Sequence, residues 1–323
     1  MKTAWPSLIL TGFLITHSYA GQKPPHIALV GIGKADVILP QVRGLYDGLE
    51  EAGYVEGKNI IIRNVRAENA DQLRDQLTNL VRQDVDVIVA TSANETAVAK
   101  QVTSKIPIVF IPAIDPVGMG FVKSRARPNA NLTGLSFTRD VEDNGKQLAV
   151  FKQIVPAMRH LTVFYDGQPA TRTPAATIAS VNRVAQNLKV QLLQQAANSA
   201  AHAAQILHGR PHKTTDGVFV ICSATFRGIK PLADRATEKR VPLFGCTATQ
   251  VAEEGALMTY SPDIYYIGYR GAWYVDRILK GARPEQLPVE APSRFELAVN
   301  LKTSRRIGLT IPPEILILVD KVF

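Results

Sequence analysis

From His26 onward, apolar runs of strand length alternate with amphipathic stretches of helix length, the pattern of parallel sheets joined by crossover helices. The first unit is HIALVGIG, followed after a loop by LPQVRGLYDGLEEAGY, where Leu39, Val42, Leu45 and Leu49 recur at helical spacing and Gly53 ends the helix. Strand NIIIRNV, a helix from about Ala70 to Arg82, strand VDVIVAT, helix ETAVAKQV, strand IPIVFI and a strand-like NLTGLSF complete a first half near Phe137. The second half has the same rhythm: a helix containing Leu148 to Ile154, strand HLTVFYD, helix TIASVNRVAQNL, strand VQLLQQ, helix AHAAQILHG, strand GVFVIC, helix GIKPLADRATEKR, strand VPLFGC and strand GALMTYS. The expectation is an α/β protein of two similar Rossmann-like lobes, each with a sheet of about five strands, facing one another across a cleft. After Ser261 the segment DIYYIGYRGAWYVDRILKG predicts a helix ended by Gly281, and FELAVNL one more strand. Pieces added after two complete lobes are what a chain crossing between them more than once leaves behind.

Within this pattern the stretch Ile106 to Val122 stands out. Ile106, Ile108, Val109, Phe110 and Ile111 form an apolar run too short for a buried helix, bounded by Pro107 and Pro112, and it breaks into a loop carrying Asp115, Pro116, Gly118 and Gly120. In open parallel sheets the carboxyl ends of strands form the crevice that receives a ligand, which makes these residues candidates for one wall of a site. The plainer alternative is a turn at Asp115-Pro116. Polar or small residues recur at nearly every such end: Gly33 and Asp36; Ser92, Asn94 and Thr96 in TSANET; Ser136 and Phe137; Tyr165 and Asp166; Ser223 and Phe226; Thr247; Tyr260. Where TSANET opens a helix, free backbone N–H groups suit an anion such as a carboxylate, or simply a capped helix end. Asp115, Asp166 and Asp263 are candidates to hold an amine, and Phe137, Tyr165, Phe226 and Tyr260 to enclose an apolar or aromatic body.

Composition narrows the class. With 323 residues and 46% hydrophobic, the chain suffices for two domains with their own cores. Residues 1–20 begin with Lys2, continue through an apolar segment from Leu8 to Ile15 interrupted by Thr11 and Gly12, and end in Ser18-Tyr19-Ala20, which reads as an export signal cleaved near Ala20 and places the mature protein in a periplasm. Cys222 and Cys246 each end an apolar run, so a disulfide and two buried thiols both remain open. A net charge of +9 is spread over scattered positions with no groove-reading motif, which argues against nucleic acid as a partner. Gly31-Ile32-Gly33 lacks the third glycine of a dinucleotide fingerprint, with Asp36 in its place. No P-loop, HExxH or GxSxG occurs, and the histidines pair with no nucleophile, so neither a cofactor nor a catalytic or metal site is expected.

The strings LEEAGYVEGKNIII, VDVIVATSANETAVAKQVTSKIPIVFIPAIDPVGMGFVKSRARPNANLTGLS, GALMTYSPD and DRILKGARPEQLPVEAPSRFELAVNLKTSRRIGLTIPPEIL resemble the substrate-binding proteins of ABC transporters, in the tryptophan/tyrosine-binding-like family. The resemblance spans nearly the whole chain from His26. It implies a type I periplasmic-binding fold, two lobes joined by three crossings, that closes on a small ligand and delivers it to a membrane permease. It also implies ligand contacts at Ser92, Asn94, Thr96 and Asp115. Such relatives usually carry Gly just before the Asp-Pro, where this chain has Ile114, a change expected to narrow the cleft. The expected organisation is a signal peptide over 1–20, one lobe from 26–138 plus 262–290, and a second from 139–261 plus 291–323. The expected protein is a monomeric importer component binding an amino-acid-like, aromatic ligand; the rival expectation is a periplasmic ligand-sensing subunit of a membrane signalling receptor.

Overall fold

The computed structural model describes residues 23–33, 39–167, 173, 175–211 and 214–323, so residues 1–20, expected to form an export signal, and Asp36 lie outside the described residues. The first sheet contains β1 (His26–Ile32), β2 (Ile61–Ala67), β3 (Val87–Ala90), β4 (Ile108–Ala113) and β5 (Leu132–Ser136), all parallel, in the order β2-β1-β3-β4-β5. Its crossovers are α1 (Pro40–Glu51), α2 (Ala70–Leu80) and α3 (Ala93–Val102). Side chains alternate across the pleat: Ile27 and Leu29 pack with α1 on one face, while Ala28 and Val30 pack with α2 and α3 on the other. A sheet covered on both faces has no polar side to show, hence the near-continuous apolar runs.

The second half comprises α4 (Asp143–Ile154), β6 (His160–Asp166), α5 (Ala175–Asn187), β7 (Gln191–Ala197), α6 (Ala200–His208), β8 (Gly217–Val220), α7 (Lys230–Glu238), β9 (Leu243–Phe244), α8 (Ala248–Ala252) and β10 (Met258–Pro262). The chain then forms α9 (Ile264–Leu279), β11 (Phe295–Val299), α10 (Leu301–Ile307), α11 (Pro313–Leu316) and β12 (Lys321–Val322). This sheet has seven strands rather than about five, ordered β12-β11-β10-β9-β8-β6-β7. β11 returns antiparallel to β10, and β12 adds to its far edge. The expected fold class therefore holds, with a larger second sheet. The short helices α8, α10 and α11 carry too few turns for an apolar period to emerge, although Thr247 and Asn300 cap two of them.

The chain passes between the sheets three times: after β5, between β10 and α9, and between Glu290, which bridges to Leu135 beside β5, and β11. The last two passages are tied together by the Asp263 N–H donating to the Arg294 carbonyl at 3.0 Å. The Arg294 guanidinium lies 3.8 Å above the Tyr266 ring, and that of Arg139 3.9 Å above Phe295.

Although α9 follows β10, it packs on the first sheet, against α1, with Ile267, Ala272, Tyr274 and Val275 in the same core as Ile27 and Leu29. Glycines permit that approach. A Cβ on Gly268 would stand 1.8 Å from the Gln41 carbonyl oxygen, and one on Gly44 2.0 Å from the Tyr265 carbonyl oxygen. Backbone is meeting backbone, so neither clash is relieved by turning a side chain. Gly268→Ala is expected to destabilise the fold by about 2–3 kcal/mol, read as a lowered denaturation midpoint with an unchanged slope; wild-type stability would show that the two helices do not approach this closely.

Candidate functional site

In both sheets the strands that face each other end at one gap, with a cavity of about 200 Å³ between them. One wall comes from the first half: Leu39, Pro40 and Gln41 where α1 begins, Thr91 and Ser92 after β3, Pro112 and Ile114 at the end of β4, and Phe137 beyond β5. The opposite wall is Cys222, Ser223, Phe226 and Arg227 after β8, with Cys246, Thr247, Thr249, Gln250 and Glu254 around α8; Ile264 opens α9 at the margin. The lining is mainly apolar with a few placed polar groups, the usual make-up of a small-molecule cleft.

Local hydrogen bonds hold this lining. Gln41 Nε2 donates to the Thr91 carbonyl at 3.2 Å, and Thr91 Oγ1 to the Val30 carbonyl at 3.1 Å, fixing the start of α1 against the end of β3. Ser92 caps α3, its Oγ accepting from the Asn94 N–H at 3.2 Å. Glu95, three residues on and wholly buried, accepts from the Ile32 N–H at 2.8 Å and is hydrogen-bonded to the Ser92 hydroxyl. The free end of α3, expected to receive an anion, is thus answered in part by the protein's own carboxylate. Across the gap, Arg227 pairs with Glu95 at 3.2 Å.

On that opposite wall Gln250 organises the turn. Its Nε2 donates to the carbonyls of Phe226 at 2.7 Å and Arg227 at 3.0 Å, while its Oε1 accepts from the Cys246 N–H at 2.7 Å. Cys222 and Cys246 are joined in a disulfide with Cα atoms 5.4 Å apart, resolving the two possibilities left open by the sequence. The bridge ties the ends of β8 and β9 at the cleft wall.

Of the residues expected at a ligand, Ser92, Phe137, Ser223, Phe226 and Thr247 line this cleft; apart from Asp36, which is outside the described residues, the others lie elsewhere. Thr96 is wholly buried and turns back to donate to the Ser92 carbonyl at 2.7 Å, and Asn94 lies beyond the cap. Asp115 adopts the plainer role, its Oδ1 accepting from the Gly118 N–H at 2.9 Å in a turn. Ser136 is wholly buried and donates to the Thr138 carbonyl at 2.7 Å. Asp166 is wholly buried and accepts from Thr225 Oγ1 at 2.6 Å, whereas Tyr165 packs on the core beneath α4 and α5. Tyr260 packs against Phe295 with ring centroids 5.4 Å apart, and Gly33 is exposed at the end of β1. Asp263 accepts from the Tyr266 N–H at 3.0 Å as the cap of α9. Asp115 and Asp263 thus serve a turn and a helix end, where short acidic side chains meet free backbone donors.

Sequence reasoning missed Gln41, Glu95, Arg227 and Gln250. The Ser92-x-x-Glu95 spacing was a readable capping signal. Nothing near Arg227 distinguished it from the scattered basic residues. Among the described residues no group of three or more His, Cys, Asp or Glu is placed to hold a metal ion, and no helix is long and apolar enough to cross a membrane.

Two α/β lobes with their strand ends facing one cleft define a type I periplasmic-binding fold. Over residues 26–323 the chain matches the ABC transporter substrate binding protein family, and it belongs to that family. It is 23% identical over 269 residues to a tyrosine-binding protein of Clostridioides difficile (strain R20291), covering 83% of this chain and 76% of the relative. Among solved structures, a conserved domain protein from Vibrio cholerae aligns with a TM-score of 0.80 at 27% identity, covering 93% of this chain and 100% of that one. The ABC domain from Streptococcus pneumoniae in complex with L-Trp aligns with a TM-score of 0.81 at 20% identity, again over 93% and 100%.

Because Gln250 satisfies three backbone groups, two of them buried, Gln250→Ala is expected to cost about 2–3 kcal/mol. Gln250→Met, which keeps most of the volume, should cost nearly as much; a near-neutral Gln250→Met in chemical denaturation would show that packing, not hydrogen bonding, is what this side chain contributes.

Proposed function

We propose that this chain is the periplasmic solute receptor of an ABC importer, binding an amino-acid-like ligand with an aromatic body without transforming it. The observation that carries the reading is the cleft itself: about 200 Å³ between two lobes, apolar on both sides and edged by hydroxyl and amide groups. Ile114 and Phe137 on one wall and Phe226 on the other suit a flat apolar body, while Ser92, Ser223, Thr247 and Gln41 supply polar atoms for its head group. A relative named for tyrosine and a similar structure holding L-Trp support an aromatic amino acid as the first ligand to test.

In this reading the rigid bodies are residues 26–138 with 262–290, and 139–261 with 291–323, working as a monomer that closes about the three crossings. Closure buries the ligand and presents both lobes together to a membrane permease. The export-signal pattern of residues 1–20 supports a periplasmic location. Of the acidic residues expected to hold an amine, Asp115 is engaged in a turn, Asp263 in a helix cap and Asp166 with the Thr225 hydroxyl, so we assign ligand contact first to the cleft-lining subset Ser92, Phe137, Ser223, Phe226 and Thr247, with Ile114 setting the width.

A thermal-shift panel of L-tyrosine, L-tryptophan, other amino acids and aromatic acids tests this. A ligand at one hundred times its Kd adds about 2.7 kcal/mol of stability, enough to raise Tm by several degrees. Ile114→Trp, which fills the cleft, should abolish the shift while leaving the unliganded Tm near that of the wild type. A panel without any shift, or a shift undiminished in Ile114→Trp, rejects the assignment of this cleft.

A further inference from the structure

A guanidinium at the edge of a cleft is suited to pair with a carboxylate of a ligand. The geometry around Arg227 points to a different use: we infer that Arg227 is a clasp, reaching from one lobe to the other and holding the cleft shut through Glu95 and Ser92 whether or not a ligand is present. Its backbone is anchored in the second lobe, where Gln250 Nε2 holds its carbonyl at 3.0 Å. Its guanidinium meets acceptors of the first lobe alone: the Glu95 carboxylate at 3.2 and 3.4 Å, the Ile32 carbonyl at 3.4 Å and the Ser92 hydroxyl. Among the described residues this is the ion pair that spans the cleft.

Two features make the contact a clasp rather than a chance surface pair. With Arg227 in place Glu95 is wholly buried, so opening the lobes withdraws the cation and leaves the carboxylate only the Ile32 N–H and the Ser92 hydroxyl as protein partners. Arg227, 43% exposed, can regain solvent when it leaves, so the drive to stay closed resides on the Glu95 side. Secondly, the clasp leaves the cavity free. Arg227 and Ser92 form part of a lining that still encloses about 200 Å³, so a ligand has room beside the pair and need not displace it. With its charge committed to Glu95, Arg227 governs how long the lobes stay together, and the ligand's polar groups must be read by neighbouring hydroxyls and amides.

The clasp rests on the receptor reading only for its effect on ligand release, and the separation of the lobes in ligand-free protein tests it independently. Small-angle scattering of the ligand-free mature chain should show a larger radius of gyration for Arg227→Gln than for the wild type, with Arg227→Lys between them. Because Arg227→Gln leaves Glu95 buried without its cation, the double variant Arg227→Gln/Glu95→Gln removes both charges and should be equally extended while remaining folded. Stopped-flow binding with L-tyrosine as the probe should show dissociation about tenfold faster in Arg227→Gln and association faster as well, because lobes without the clasp both release and admit ligand more readily. A radius of gyration in both glutamine variants equal to that of the wild type overturns the inference, whatever L-tyrosine does. If L-tyrosine fails to bind the wild type, the ligand assignment falls and the scattering result alone decides the clasp.

Discussion

Parallel pairing is the constraint on which this structure depends. Two parallel strands cannot be joined by a tight turn, so each needs a crossover, and a right-handed crossover returns the chain to the same edge every time. Strand ends and helix starts are thereby gathered on one side of each sheet. Ser92 and Thr247 illustrate the outcome: both are helix caps, in opposite halves of the chain, and both edge the same cleft. The three passages between sheets turn those two edges toward one another, and the close contact of α1 with α9 seats the starts of both helices at the rim, with Gln41 and Ile264 in the lining.

A cleft assembled from helix starts is rich in backbone N–H groups seeking acceptors, and the protein answers many of them itself. Asp115 closes a turn, Asp263 caps α9, and Glu95 sits among the amide of Ile32, the hydroxyl of Ser92 and the guanidinium of Arg227. These carboxylates around the cleft therefore secure its walls, and the surface that remains is chiefly apolar. That division suits a receptor, which must keep its shape when empty and yet offer a ligand a wall that costs little to desolvate. The Cys222–Cys246 bridge and Gln250 perform the same task on the other wall, binding strand ends that would otherwise be loops.

The alternation of elements and the two-lobed α/β class were legible in the chain because they follow from local periodicity: apolar runs covered on both faces, helices with one apolar stripe, caps at their starts; the family was legible only through the resemblance of longer strings. The candidate site was legible only as a set of strand ends. Ser92, Phe137, Ser223, Phe226 and Thr247 were found that way, and so were Asp115, Asp166 and Tyr260, which the fold turns to other uses. A strand end can send its side chain toward the gap, into the core or back onto its own turn, and a one-residue step decides which.

By itself, then, the sequence determined which longer segments become strands and helices and that their ends would meet at a shared edge, since those properties reside in neighbouring residues. Only the tertiary structure decided which side chains face the cleft, that the two cysteines are bonded, that the second sheet gains an antiparallel strand, and that Arg227 finds Glu95, 132 residues away in the chain. Such pairings depend on where the chain crosses between lobes and how closely glycine-bearing helices approach, distances set by packing across the whole molecule and recorded in no local pattern.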